Sequence, residues 1–274
     1  MVSNSAQAIA QLAQLRDPTK RSQLALGVTE MCLAQPLSPT AEPVAGELLV
    51  TLSGTLDRPT KIAMVEKLSA SEWAPHAAIR HFAFDEIEVA CIVIRKSPRL
   101  TQRDMISLAE TGSVDHRRHL ASRPNLCPAI TDALAKPAEA VILRALANNC
   151  TAQISESALD ICLASEAVEA AEQSGALTGN YALTALRAGK FAIFDHAVAR
   201  LCGLTPAQWR VALTMGGVRA AAMACQASGL DRTDYPTVHR ALQRTGRMHQ
   251  QLEGEAMNGP DKAATVLRQL GSRS

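Results

Sequence analysis

Apolar residues recur at intervals of 26 residues through the middle of this chain of 274 residues. Three columns keep this interval: Leu68, Ile94, Leu120 and Leu146 form the first, Ala83, Ala109 and Ala135 the second, which continues at Ile161, and Phe82, Leu108 and Leu134 the third. A fixed period of this length is typical of short helices that stack in pairs, because one pair cannot bury its apolar stripes alone. The recurrence therefore predicts a helical repeat array.

Each predicted repeat contains two short helices joined by a polar or proline-containing turn. The segments Val89 to Lys96 and Thr101 to Glu110 give the clearest example. Four such units, from about Arg58 to about Ser165, predict a short-period, HEAT-like array, which is an α-solenoid with a right-handed stack. The array is expected to occupy residues 58–165.

Two further helical regions flank the predicted array. Residues 1–57 contain helical patterns at 6–15, 19–32 and 40–52, which we expect to cap its open end. Residues 166–274 lose the period and predict a C-terminal helical bundle, with apolar patterns at Leu183 to Leu201, Pro206 to Thr214 and Tyr235 to Leu252. Glycines between these patterns mark the predicted helix ends.

The composition favours an all-α fold. Hydrophobic residues make up 47% of the chain and aromatic residues only 3%, a balance that suits closely packed helices better than a β-sandwich. The seven cysteines include no C-x-x-C pair, which argues against a disulfide framework or a zinc knuckle. We identify no export signal and no apolar run of membrane-spanning length, so we expect a cytoplasmic protein with no membrane partner.

Three segments carry a resemblance to a known family. They are Val89 to Leu100 (VACIVIRKSPRL), His116 to Leu126 (HRRHLASRPNL) and Leu143 to Ile154 (LRALANNCTAQI). They resemble the bacterial domain-of-unknown-function family 2336 over about residues 58–230. The resemblance implies a helical-repeat fold in a bacterial cytosolic protein, and it implies no catalytic residue and no cofactor.

Polar residues occupy the turn between the two helices of each predicted unit. These residues, which we call the rim row, are again 26 apart: Ser71, Ser97, Arg123 and Asn149. With Arg117 and Arg118 nearby, the rim row predicts a surface that binds acidic groups of a protein partner through guanidinium contacts. The alternative is that Ser97 and Asn149 cap helix ends and that Arg123 bonds to carbonyl groups of a neighbouring turn.

A few other side chains are candidates for a chemical role. Asp115, His116 and His119 form a local cluster in which the two histidines, three residues apart, share a helical face. The cluster leaves open a metal site, which would need at least one more ligand from elsewhere, or a phosphorylated histidine. No nucleophile motif or nucleotide-binding loop is present, so an enzyme is not favoured. Trp73 is expected to pack in the core, and Trp209 is a candidate for an exposed anchor.

The sequence therefore favours an interaction or regulatory scaffold that binds another protein, with no cofactor. A nucleic-acid-binding repeat protein is the alternative, but a net charge of +2 gives little long-range attraction to a polyanion.

Overall fold

The computed structural model describes residues 18–246 and 260–271, and the regular elements in these ranges are all helical. No strand occurs in the described part of the chain, which confirms the predicted all-α class. The chain divides into two compact units, the first comprising Met1–Leu134 and Asn148–Gln153 and the second Ala135–Ala147 and Ile154–Ser274. The boundaries at residues 57 and 165 stay predictions, and the helix expected at residues 6–15 lies outside the described residues.

Eight helices begin in the described residues of the first unit. They are α1 (Pro18–Ala34), α2 (Ala41–Ser53), α3 (Arg58–Ser69), α4 (His76–Ala83), α5 (Ile87–Lys96), α6 (Gln102–Thr111), α7 (Val114–Ala121) and α8 (Pro128–Ala135). Within this unit α1 contacts α3, α3 contacts α5, and α5 contacts α7, while α2 contacts α4. Helices α1, α2, α3 and α5 therefore each lie beside the helix that follows two places later in the chain.

The periodic apolar positions are core positions. The fully buried members of the three columns are Leu68, Ile94, Leu120, Leu146, Ala83, Ala109, Ala135, Phe82, Leu108 and Leu134. Ile161, which continues the alanine column, is only partly buried. The burial predicted for Ile94 and its equivalents is thus confirmed.

Polar side chains cap several helix starts in the first unit. The Thr101 hydroxyl accepts a hydrogen bond from the Asp104 backbone N–H at 3.2 Å, and the Asp104 carboxylate accepts from the Thr101 N–H at 3.0 Å. Such a reciprocal pair satisfies two orphan donors at the start of α6. The cap position of α5 is Glu86, and the carboxylate of the preceding residue, Asp85, pairs with Lys61 Nζ at 3.1 Å.

The second unit contains seven described α-helices and one 3-10 turn. They are α9 (Ala140–Ala147), α10 (Glu156–Gln173), α11 (Gly179–Arg187), α12 (Phe191–Leu201), α13 (Pro206–Ala227), the 3-10 turn Arg232–Asp234, α14 (Tyr235–Arg244) and α15 (Pro260–Gly271). Helix α12 contacts α10, α11 and α13, and α13 also contacts α14 and α15. The side chains of Phe194 and Trp209 are fully buried in this core.

Glycines change the helix boundaries expected in this unit. The pattern from Leu183 to Leu201 was predicted as one helix, but it is broken between α11 and α12, where Gly189 has φ +74°. Only glycine adopts this conformation readily, so the chain turns there despite the continuous apolar pattern. The break expected after Thr214 is present as a kink at Gly217, with φ 48° and ψ −126°, and helical structure resumes beyond it as far as Ala227.

Candidate functional site

The rim row forms a series of hydrogen bonds inside the first unit. The Arg123 guanidinium donates to the carbonyl oxygens of Ile94 and Ser97, both at 2.6 Å, at the end of α5. The Asn149 amide donates to the carbonyl oxygens of Ala121 at 2.8 Å and Arg123 at 2.7 Å, at the end of α7. Arg123 and Asn149 therefore each bind the rim residue 26 positions earlier.

The remaining polar atoms of the rim row also have partners in the chain. Ser97 is fully buried, and its hydroxyl accepts from the Arg99 N–H at 3.3 Å. The Asn149 side-chain oxygen accepts from the Thr151 hydroxyl at 2.8 Å. Burial lowers the pKa of Arg123, but the guanidinium stays charged at any physiological pH. The alternative interpretation, in which these side chains satisfy helix ends, is confirmed, whereas their contact with a partner stays a prediction.

Positive charge gathers where α5 and α7 end. Arg95 is exposed in the last turn of α5, and Arg118 and His119 lie in the last turn of α7. We call these three residues the basic face. Burial lowers the pKa of His119, and the nearby charges of Arg118 and Arg95 lower it further. Arg117, on the same helix, is partly buried and interacts within the chain.

Both ring nitrogens of His116, on α7, form hydrogen bonds within the chain. His116 Nδ1 lies 2.7 Å from the Ser113 hydroxyl, and His116 Nε2 lies 3.0 Å from the Asp85 carbonyl oxygen. Because a carbonyl only accepts, Nε2 carries the proton and Nδ1 accepts from Ser113. Within residues 18–246 and 260–271, no group of three His, Cys, Asp or Glu side chains is placed to hold a metal ion.

The two tryptophans have environments opposite to those expected. Trp73, predicted to pack in the core, is 44% exposed beside Leu33 and Lys67. Trp209, the candidate exposed anchor, is 1% exposed, and its indole N–H donates to Asp195 Oδ1 at 3.1 Å. Both predictions are wrong, because neighbours distant in the sequence decide which aromatic side chain is covered.

The second unit has a partly open cavity of about 860 Å³, lined mainly by α10, α12 and α13. Its lining is largely apolar, with these side chains among others: Ile161, Leu163, Ala164, Phe191, Ile193, Pro206 and Leu213. Charged or titratable side chains also line it: Asp160, Lys190, Asp195, His196 and Arg210. A volume of this size is typical of small-molecule sites.

Sequence reasoning did not single out His196. Its Nδ1 lies 2.9 Å from the Ala192 carbonyl oxygen, one turn earlier on α12, while Nε2 is buried and has no hydrogen-bond partner among the described residues. In the sequence, His196 is one histidine inside the apolar helix FAIFDHAVARL, next to Asp195. This pattern is equally typical of a core histidine whose hydrogen bonds are satisfied, so only the cavity in the folded chain indicates a binding site.

A family model for uncharacterised proteins conserved in bacteria, DUF2336, matches residues 89–171 and 163–268. The chain belongs to this family. No curated protein and no solved structure matches the chain. The region matched to DUF2336 includes α7, three of the four rim residues and the whole lining of the cavity. None of the helices in the described ranges is long and apolar enough to cross a membrane.

Proposed function

We propose that this DUF2336 protein is a cytoplasmic interaction scaffold that binds an acidic surface of another protein and has no catalytic role. In this proposal the helical pairs of the first unit form a HEAT-like array, an α-solenoid. Two observations support the array: contacts between helices two places apart, and side-chain bonds that span 26 residues. The extension of the array to Ser165 stays a prediction.

One observation carries the binding proposal: α5 and α7 are in contact, and their last turns hold two exposed arginines, Arg95 and Arg118. Like charges on neighbouring helices repel one another unless an anion offsets them. Arg95 has no acidic partner in the described part of the chain, and Arg118 has only Asp115, at 3.4 Å with both side chains more than half exposed. A pair this exposed contributes little stability and leaves Arg118 available.

The sequence-predicted residues have two different roles in this proposal. Arg118, with Arg117 beside it, contacts the partner's carboxylates. Ser97, Arg123 and Asn149 hold the ends of α5 and α7 in place, and so keep Arg95 next to His119. Substitution of Arg123 by Glu would disturb helix packing as well as charge, so the binding test uses the basic face alone.

The test compares the parent chain with an Arg95→Glu, Arg118→Glu double variant. A matched control, Arg103→Glu with Arg219→Glu, changes the net charge equally at two other exposed arginines. Each immobilised protein is incubated with nuclease-treated bacterial cytosol, and captured proteins are identified at low and at raised salt. We expect the parent and the control to capture the same acidic protein, the double variant to lose it, and capture to weaken with salt because exposed charges are screened over about 10 Å at ~0.1 M.

Two outcomes would contradict the proposal. If the folded double variant captures the same protein as the parent, the basic face is not the binding surface. If capture in untreated cytosol disappears on nuclease treatment, the chain binds nucleic acid instead. Thermal unfolding of all three proteins serves as the control for folding.

A further inference from the structure

The cavity of the second unit is a separate site, unrelated to the basic face of the first unit. Apolar side chains from α10, α12 and α13 form most of its lining, including Leu163, Phe191 and Leu213. A cavity of about 860 Å³ with such walls fits the apolar body of a small organic molecule. The polar groups of the cavity then select for the polar end group of the molecule that binds.

His196 supplies an incomplete hydrogen-bonding group at this cavity. The residue is 9% exposed and lines the cavity. Because the Ala192 carbonyl can only accept, His196 Nδ1 is the protonated nitrogen, and in the neutral ring Nε2 is a bare acceptor. Buried polar atoms are nearly always paired, and the described residues leave Nε2 open to a partner in the cavity that His196 lines.

The charges around the cavity favour an anionic end group on the side of α12 and α13. Lys190 precedes α12 and has no acidic partner among the described residues, and Arg210 follows the first turn of α13 and donates to the Lys136 carbonyl oxygen. Asp195 Oδ1 accepts the indole N–H of Trp209, which fixes that carboxylate. Asp160 lines the cavity from α10, and its carboxylate disfavours an anionic group on that side.

We propose that this cavity binds a small organic acid with an apolar body, whose carboxylate accepts a hydrogen bond from His196 Nε2–H near Lys190 and Arg210. Binding takes up one proton from solvent, which adds to His196 Nε2. The resulting imidazolium has two N–H groups, and each has an acceptor, the Ala192 carbonyl oxygen and the carboxylate of the ligand. No covalent bond forms or breaks apart from this protonation.

The direction of the pH dependence follows from the surroundings of His196. Burial lowers its pKa, and the bond to Ala192 and the charge of Asp195 oppose this only in part. The free protein therefore holds neutral His196 near pH 7, and the bound carboxylate favours the imidazolium. The affinity for the acid should rise as the pH falls toward the ordinary pKa of histidine.

Calorimetric titration of the full chain with decanoate, and with 1-decanol as the uncharged probe of the same length, tests the proposal. Decanoate should bind about tenfold or more tightly than decanol, as expected when a charge-assisted hydrogen bond is lost. Heats in two buffers of different ionisation enthalpy should show uptake of about one proton per decanoate bound, as the single site requires.

Variants separate the role of His196 from general disruption of the fold. His196→Gln places an amide near the position of Nε2 and should bind decanoate without proton uptake. His196→Asn keeps a donor near Nδ1 only and should bind it about tenfold more weakly or worse. Asp160→Asn should strengthen binding, and the matched control His239→Gln, on α14 away from the cavity, should leave both affinity and proton uptake unchanged.

Equal affinities for decanoate and decanol, absence of binding by both, or unchanged proton uptake in His196→Gln would each overturn the proposal. Because His196→Gln lacks a donor near Nδ1 and so puts the bond to Ala192 at risk, a folding defect in that variant leaves the His196→Asn affinity decisive, and parent-like binding of decanoate by His196→Asn would overturn the proposal. The double variant of the basic face should bind decanoate as the parent does, so this proposal and the proposed protein binding fail independently.

Discussion

The Arg123 guanidinium donates to the Ser97 carbonyl oxygen at 2.6 Å, across 26 residues of chain. The same guanidinium donates to the Ile94 carbonyl oxygen, so one side chain satisfies two acceptors at the end of α5. A planar guanidinium can hold both acceptors at once, whereas a lysine ammonium concentrates its charge at one point.

Substitution Arg123→Met should lower the free energy of unfolding by about 2–4 kcal/mol, because it removes two charge-assisted hydrogen bonds to partly buried carbonyl groups. Urea unfolding measures this change. Arg103→Met, at an exposed position on α6, is the matched control and should change stability by less than about 0.5 kcal/mol. Equal midpoints for the two variants would show that the bonds of Arg123 do not stabilise the fold.

Leu120→Ala should lower the free energy of unfolding by about 2–5 kcal/mol, since the side chain is fully buried and its removal leaves a cavity. Val114→Ala on the same helix, where the valine is largely exposed, should have a much smaller effect. Thermal unfolding followed by circular dichroism compares the two. A parent-like transition for Leu120→Ala would remove Leu120 from the core.

Asp104 should make the first unit sensitive to acid. Burial alone would raise the pKa of Asp104, but hydrogen bonds from Thr101 and from His76, whose Nε2 lies 2.7 Å from the carboxylate, outweigh it and leave the pKa below its ordinary value. A carboxylate with a lowered folded-state pKa stabilises the fold above its unfolded-state pKa and loses that contribution as the pH falls through the folded-state value.

The variant Asp104→Asn should therefore be less stable than the parent at neutral pH, and the difference should shrink as the pH falls below about 4, the ordinary range for Asp. Urea unfolding across this range measures the difference. Asp132→Asn, at an exposed position in the same unit, is the control. A constant difference at all pH values would exclude ionisation of Asp104 as the cause.

The cysteines should react in the order of their burial. Burial raises the pKa of the Cys202 and Cys225 thiols to about 12, whereas Cys150 is exposed. Since the thiolate is the reactive form, a disulfide reagent at neutral pH should label Cys150 rapidly and Cys202 and Cys225 only after unfolding. Mass spectrometry of the labelled peptides measures the order, and Cys150→Ser should remove the fast phase. Early labelling of Cys202 would contradict the packing of α12 against α13.

The core of the first unit could be predicted from the sequence because the apolar residues that recur every 26 positions are the ones that the stacked helices bury. Ile94 and Leu120, 26 residues apart, are both fully buried. The sequence could not determine what the rim side chains bind, since an arginine can donate either to a partner's carboxylate or to a carbonyl at a helix end. The structure places the end of α5 within hydrogen-bonding distance of Arg123, and this placement identifies the carbonyl as its acceptor.

The second unit could be predicted less completely. The apolar pattern continues across Gly189, so the break there depends on a backbone conformation that the pattern does not encode. His196 gave no distinctive signal, because the cavity beside it is assembled from α10, α12 and α13, which meet only in the folded chain. The predicted environments of Trp73 and Trp209 were the reverse of the observed ones for a similar reason, since the exposure of a side chain depends on neighbours that are distant in the sequence.

The bonds from Arg123 to Ser97 and from Asn149 to Arg123 also restrict how the chain can change in length. Excision of residues 98–123 would join Ser97 to Pro124 in place of Pro98 and would put Asn149 26 positions after Ser97. Asn149 would then face the Ser97 carbonyl in the way it now faces that of Arg123. Loss of a single residue from a helix in this stretch would rotate the side chains that follow it in that helix by about 100° around the axis, and the donor would miss its acceptor. Insertions and deletions in this stretch should therefore be accepted as whole multiples of the period.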